Sequence, residues 1–140
     1  MTKREELRKL EMSLDYFKGH QFAVDKAIEL RKEIEDTDTY ANHIGYSDVY
    51  PYEIIERRTD KKIIIRAMNS ELDETWKPDI VLGGFVGHCV NNGEQRWIIT
   101  SNEKMTPIVI RKHSDGKWYD KNKMRFSLSD EPCRHYDYNF

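Results

Sequence analysis

The sequence predicts an α+β fold: a long N-terminal helix, or helical hairpin, followed by an antiparallel β-sheet or small barrel. Three observations predict it. The first 38 residues are highly charged and carry apolar residues at helical spacing. The rest holds five to seven short β-branched or aromatic runs separated by turn signals. These runs follow one another without intervening helical patterns, so no βαβ unit is expected.

Taken in order, Thr2 caps the first helix and Glu5, three residues on, completes a capping box. Leu7, Leu10, Leu14, Phe17, Val24 and Ile28 then form a heptad seam, which Leu30 and Ile34 widen. Gly19 interrupts it at a cost of about 1 kcal/mol against Ala. Either one helix survives the glycine or two helices fold back as a hairpin. Charged (i, i+4) pairs such as Glu29–Glu33 and Arg4–Arg8 are like-signed and give no support. Tertiary or subunit contact must therefore hold the helix, and a narrow seam of this kind implies oligomerisation, with packing on the chain's own β domain as the alternative. The run Asp36-Thr37-Asp38-Thr39 ends the helix, and the polar stretch up to Tyr46 reads as a linker.

Residues 49–56 form the first expected strand, with Pro51 near its start, and 61–68 the second, around Ile63, Ile64 and Ile65. Residues 69–78 are a polar connection. The least charged stretch, 80–101, reads as a hairpin of strands 80–89 and 95–101 around Asn91-Asn92-Gly93. Residues 106–113 form a further strand, Ser114-Asp115-Gly116 a turn, 117–119 its return and 124–128 a closing strand. The aromatic tail, with Tyr136, Tyr138 and Phe140, is expected to dock rather than fray.

Composition narrows the classes of function. Charged residues make up 34% of the 140, against roughly 25% in ordinary domains, as an elongated helical part would explain. A net charge of −2 argues against coating duplex nucleic acid. No apolar run is long enough for a membrane span, and MTKREELRK lacks a signal-peptide core. A cytoplasmic protein with Cys89 and Cys133 reduced is expected.

Catalytic and metal motifs are weak. His88, Cys89, Cys133 and His135 match no standard zinc spacing. Cys89 with His113 or His135 lacks an orienting group, and Cys is commonly a small core residue. There is no Walker loop, GxGxxG or GxSxG, and the paired carboxylates lie in polar loops. Neither catalysis nor a cofactor nor a metal is expected. Two features do suggest binding. Gly83 and Gly84, then Phe85, Gly87 and His88, present an aromatic ring beside missing side chains, suited to a flat ligand such as a nucleobase; a β-bulge with a core phenylalanine is the plainer alternative. Arg57, Arg58, Arg66, Arg96 and Arg111 lie on or beside the strands. An arginine fork holds phosphate through two bonds and also stacks on a base; the plainer alternative is a solvated strand face.

The series YPYEIIE, IIIR, WKPD, GGFVGHC, NNGEQRWIIT, TPIVIRKH, DGKW and HYDYNF, behind a heptad-bearing helix, resembles a class of small phage proteins. Within that class it is similar to the first-described Thoeris anti-defence family, over roughly residues 46–140. GGFVGHC and YDYNF are its most specific pieces. Members are sponges. They bind cyclic ADP-ribose variants made by host TIR-domain enzymes and release them unchanged, and some hold cyclic oligonucleotides at a second site in a hexamer built from dimers. The resemblance implies a non-enzymatic homo-oligomer, dimer or hexamer, of the host cytoplasm that sequesters such a signal. Residues 1–38 would be the oligomerisation segment and 39–140 the ligand-binding domain. Phe85 would stack the base, Arg111 with Arg57 or Arg66 hold phosphates, and Asn92 contact base or ribose; Gly84 and His88 complete the expected site. A second reading is an inhibitor that binds a host protein through its sheet face and aromatic tail.

Overall fold

The computed structural model describes residues 2–81, 88, 89 and 91–138. Two compact units are present, residues 1–38 and 39–140. In the first, α1 spans Lys3–Glu11, α2 Leu14–Phe17 and α3 Gln21–Thr37. Thr2 Oγ1 accepts the Glu5 amide at 3.2 Å, so the cap forms as expected. Gly19 resolves the choice between one helix and a hairpin. It takes φ +73°, and its amide bonds to the Tyr16 carbonyl while His20 bonds to that of Asp15. This is a Schellman stop, which needs a residue without a Cβ penalty in the left-handed region. The chain then reverses, and α1 packs along α3.

The buried stripe corrects part of the expected seam, keeping Leu30 and Ile34 buried and Leu7, Leu10 and Val24 half-buried. Ala23, Ala27, Leu30 and Ile34 are buried, whereas Leu14, Phe17 and Ile28 are 64%, 85% and 57% exposed. Small alanines let the helices approach closely, so the contact follows Ala23 and Ala27 rather than the larger residues beside them. Ion pairs between helices replace the missing pairs within them: Lys3–Glu33 at 3.4 Å, Arg31–Glu11 at 2.8 Å, and Arg4 with the buried Asp38.

In the second unit the strands are β1 Tyr40–Ile44, β2 Val49–Tyr50, β3 Tyr52–Thr59, β4 Lys62–Ala67, β5 Asn69–Leu72, β6 Ile80–Val81, β7 His88–Cys89, β8 Trp97–Thr100, β9 Ile108–Lys112, β10 Trp118–Tyr119 and β11 Arg125–Ser129. The main sheet runs β11-β10-β9-β4-β3-β1-β2. β11 also pairs with β1, from Tyr40↔Ser129 to His43↔Phe126, so six strands close into an antiparallel barrel and β2 extends it from β1. The expected α+β fold with a small barrel is the one found. Alternation along each strand sends Ala41, Ile63, Ile65, Ile110, Trp118, Phe126 and Leu128 into the barrel core. The Ser-Asp-Gly turn forms as expected, with Gly116 at φ +81°.

Three expectations about segments are corrected. The polar linker contains β1, which closes the barrel; Ala41 is fully buried there. The polar connection contains β5, which pairs with β8 from Asn69↔Thr100 to Leu72↔Trp97. The single strand expected at 80–89 is instead two strands: Ile80 pairs with Cys89 and Val81 with His88. The two pair with each other, and β8 pairs with β5 instead. Asn92–Glu94 forms a 3₁₀ turn rather than a positive-φ hairpin loop.

Candidate functional site

At one end of the barrel, where β1, β2 and β3 meet the exit of β4, an open cavity of about 300 Å³ is lined by His43, Tyr50, Pro51, Tyr52, Ala67, Met68 and Ser70. The register builds it. His43 lies opposite Tyr50, and Tyr52 opposite Ala67. Pro51 separates β2 from β3, and its carbonyl accepts the Met68 amide at 3.0 Å. Three of the seven lining residues, His43, Tyr50 and Tyr52, carry aromatic rings. The His43 ring lies 5.7 Å from that of Tyr50 and 5.2 Å from that of Phe126. Tyr52 meets Phe126 edge-on at 5.1 Å, a favoured aromatic geometry.

Burial sets the charge state of these walls. It pushes the His43 imidazole below its ordinary value of 6.5, against the opposing pull of the Asp120 charge. Burial, then Asp120, raises the Tyr52 phenol above 10.0. Both rings are therefore neutral near pH 7 and can donate or accept hydrogen bonds along a ligand edge.

A cation packs on the ring of one lining residue, Tyr50. The Arg134 guanidinium lies 4.5 Å from the Tyr50 ring centroid and 4.9 Å from that of Trp97. Its Nη1 donates to the carbonyls of Val49, at 3.2 Å, and His135. The tail holds it there, docked as the sequence predicts as far as Tyr138; Phe140 lies outside the described residues. His135 bridges to Val49, Asp137 N donates to Asp48 Oδ1 at 2.8 Å, and Tyr138 packs on Trp76 at 5.6 Å between ring centroids.

Of the sequence-predicted site residues that are described, Arg57, Arg66, Asn92 and Arg111 are not among those that line this cavity. Phe85 and Gly84 lie outside the described residues, and of His88 only its place in β7 is described. Arg111 is exposed on the outside of the barrel, opposite Lys62. Arg57 is exposed at the same end of the sheet, opposite Ile63. Arg66 lies four residues along β4 from Lys62, or about 13 Å at strand rise, so the described part of the expected set is spread rather than convergent. Arg66 is also committed, donating to Glu53 Oε1 from both Nε and Nη2, at 3.2 and 2.7 Å. Asn92 is committed as well. Its Nδ2 donates to Asp137 at 3.1 Å and its Oδ1 accepts from Gln95 and the Tyr138 amide. It latches the tail rather than presenting a free amide.

His43, Tyr50, Tyr52, Met68 and Arg134 are the residues that sequence reading missed. The signals were there. Tyr50 and Tyr52 flank Pro51, and Arg134 lies inside the aromatic tail already expected to dock, where a cation must meet rings. Among the described residues no group of three or more His, Cys, Asp and Glu is placed to hold a metal ion. No described helix is long and apolar enough to cross a membrane. No family model, curated protein or solved structure matches the chain.

Proposed function

We propose that this protein is a phage anti-defence sponge that binds a cyclic ADP-ribose-type signal in the host cytoplasm and does not degrade it. The observation that carries the reading is the aromatic cavity at the barrel end. At about 300 Å³ it lies at the lower limit of ligand pockets, roughly 300–1,000 Å³. It suits one base-sized ring, with the rest of the molecule outside. Neutral His43 and Tyr52 supply edge hydrogen bonds, and Tyr50 a stacking face. The family resemblance supports the same chemistry, with the site moved from the outer arginines to the barrel end. Assembly into a homo-oligomer is part of the proposal, and the exposed rings of Phe17 and Phe22, each 85% accessible, support it.

Calorimetry against a panel of cyclic ADP-ribose isomers and cyclic dinucleotides tests this. One isomer should bind below micromolar, Tyr52→Leu should abolish its binding, and heating the complex should return the signal intact. A degraded signal points to an enzyme, and silence across the whole panel removes the proposal.

A further inference from the structure

Two arginines of the barrel strands are matched with acids: Arg58 meets Glu56 at 3.4 Å and Arg66 meets Glu53 at 2.7 Å. One row of cations on the outer face is not. Register places Lys62 opposite Arg111, Arg111 opposite Tyr119, and Tyr119 opposite Arg125, so the four lie side by side across β4, β9, β10 and β11. Their chain neighbours Ile63, Ile110, Trp118 and Phe126 are buried in the barrel, which turns all four side chains outward. Among the described residues, Lys62, Arg111 and Arg125 make no ion pair and no side-chain hydrogen bond. Asp115 touches the row, but its carboxylate is taken by the Tyr119 hydroxyl at 2.7 Å and the Lys117 amide at 2.9 Å. Like charges directly opposite each other weaken a sheet, and Lys62 and Arg111 are such a pair. Nothing among the described residues offsets that repulsion.

One step along the strands, the same outer face continues into Ile64 and Val109, which pair with each other and are half-buried. Arginine and tyrosine beside an apolar step is the residue mix that carries protein–protein contacts. The unmatched charge calls for carboxylates, which arginine holds through two bonds. Three strand intervals put Lys62 about 14 Å from Arg125 along the sheet, a span that a short acidic segment covers. A nucleic-acid strand fits less well. The Tyr119 ring already packs on His113 at 4.6 Å between centroids, and a net charge of −2 gives no long-range pull on a polyanion.

We propose that this outer face docks an acidic segment of a partner protein, its carboxylates held by Lys62, Arg111 and Arg125 and an apolar side chain resting on Ile64 and Val109. None of these residues lines the barrel-end cavity, so the surface stands independently of the ligand-binding reading.

The test is NMR of the isotope-labelled full chain, titrated separately with a short peptide of Glu, Leu and Ser, with its counterpart carrying Lys for Glu, and with oligouridylate. The acidic peptide should move amide signals of β4, β9, β10 and β11 around the row, and the Lys peptide should not. Arg111→Gln should weaken the acidic peptide about two- to five-fold, as exposed ion pairs allow. The same change should hold or raise the urea midpoint, because it relieves the repulsion with Lys62. Replacing Lys62, Arg111 and Arg125 together by Glu should reverse the preference toward the Lys peptide, and Arg58→Gln, outside the row, should leave affinity unchanged. Acidic-peptide binding that survives the triple replacement, signals that move elsewhere on the chain, or no binding at all overturns the surface. A lowered midpoint in Arg111→Gln shows that the row is compensated within the chain, which also overturns it. Oligouridylate seated on the row more tightly than the acidic peptide overturns the protein partner in favour of single-stranded nucleic acid.

Discussion

Replacing Asn42 with Leu should weaken the barrel unit far more than a surface substitution does. Asn42 lies on β1 next to the core residue Ala41, so its side chain points out of the barrel, yet it is only 5% exposed. The chain segment ahead of the tail covers it. Asn42 Oδ1 accepts the Cys133 amide at 2.9 Å, and its Nδ2 donates to the Glu131 carbonyl at 3.1 Å. Leucine fills similar space but leaves both backbone groups without those partners. An unsatisfied buried group costs about 1–3 kcal/mol. Glu131 and Cys133 retain solvent access, so the total should fall near the lower end, about 2 kcal/mol. With a urea slope of about 1–3 kcal/mol per molar, the midpoint should drop by about 1 M. Tryptophan fluorescence is the assay, because Trp76, Trp97 and Trp118 all lie in the barrel unit and leave the helical unit silent. A drop under about 0.2 M would refute the reasoning, showing that water replaces the Asn42 bonds at no cost. Asn42→Asp sharpens the test. It keeps the acceptor for Cys133 but sets a carboxylate against the Glu131 carbonyl. Burial should raise that carboxyl, so Asn42→Asp should be less stable at pH 7 than at pH 4, relative to wild type.

Gly19→Ala should cost roughly 1–2 kcal/mol in the helical unit, read by circular dichroism on heating. A Cβ there meets nothing within 4 Å, so the whole effect comes from φ +73°; an unchanged melting curve would count against the Schellman stop. Burial alone would raise the Glu53 carboxyl, but hydrogen bonds from Arg66 and Ser101, with the Arg66 charge, hold it below its ordinary 4.5. A lowered acid stabilises the fold above its unfolded value, and that contribution is lost as pH falls through the folded one. Glu53→Gln should therefore flatten the acid limb of a stability–pH curve below about 4.5; an identical limb would show that the Arg66 pair is solvated. His43 has its folded value lowered by burial, so its stabilising effect is present above 6.5 and lost as pH falls below it. Proton NMR should find His43 titrating below 6.5, and His43→Gln should remove the matching slope in stability between pH 7 and 5.

The parts of the fold legible in the sequence are those whose core residues are large and β-branched. Ile63 and Ile65, Ile108 and Ile110, and Phe126 and Leu128 alternate in period two, and all six pack in or against the barrel core. Turn chemistry located β10 through Gly116. β1 escaped notice because its inward residues are an alanine and a histidine, Ala41 and His43, and its outward Asn42 is covered by the distant segment 131–133. Its strand character comes from pairing with β11 and β3, which no local pattern records.

The same cause explains why no local pattern points to the barrel-end cavity. Period-two alternation says that Val109 and Arg111 share a face, and they do, but it does not say which face is inside. Ile110 is fully buried, which puts Arg111 outside. Pairing with Glu53, near the middle of the sheet, removes Arg66 from any set of converging cations. The cavity instead draws His43 from a strand that looked like linker, Ser70 from one that looked like connection, and Tyr50 from beside the proline break. Its neighbouring cation arrives from the C-terminal tail, 84 residues after Tyr50 in sequence. A site assembled by barrel closure and tail docking has no local spacing to read. If the proposed site includes the tail, loosening the Asn92 latch, which bonds Asp137 and the Tyr138 amide, should weaken ligand binding without touching the cavity lining. Carboxypeptidase sensitivity and binding affinity, followed together in Asn92→Ala, should therefore change in step, and a released tail with full affinity would separate the tail from the proposed site.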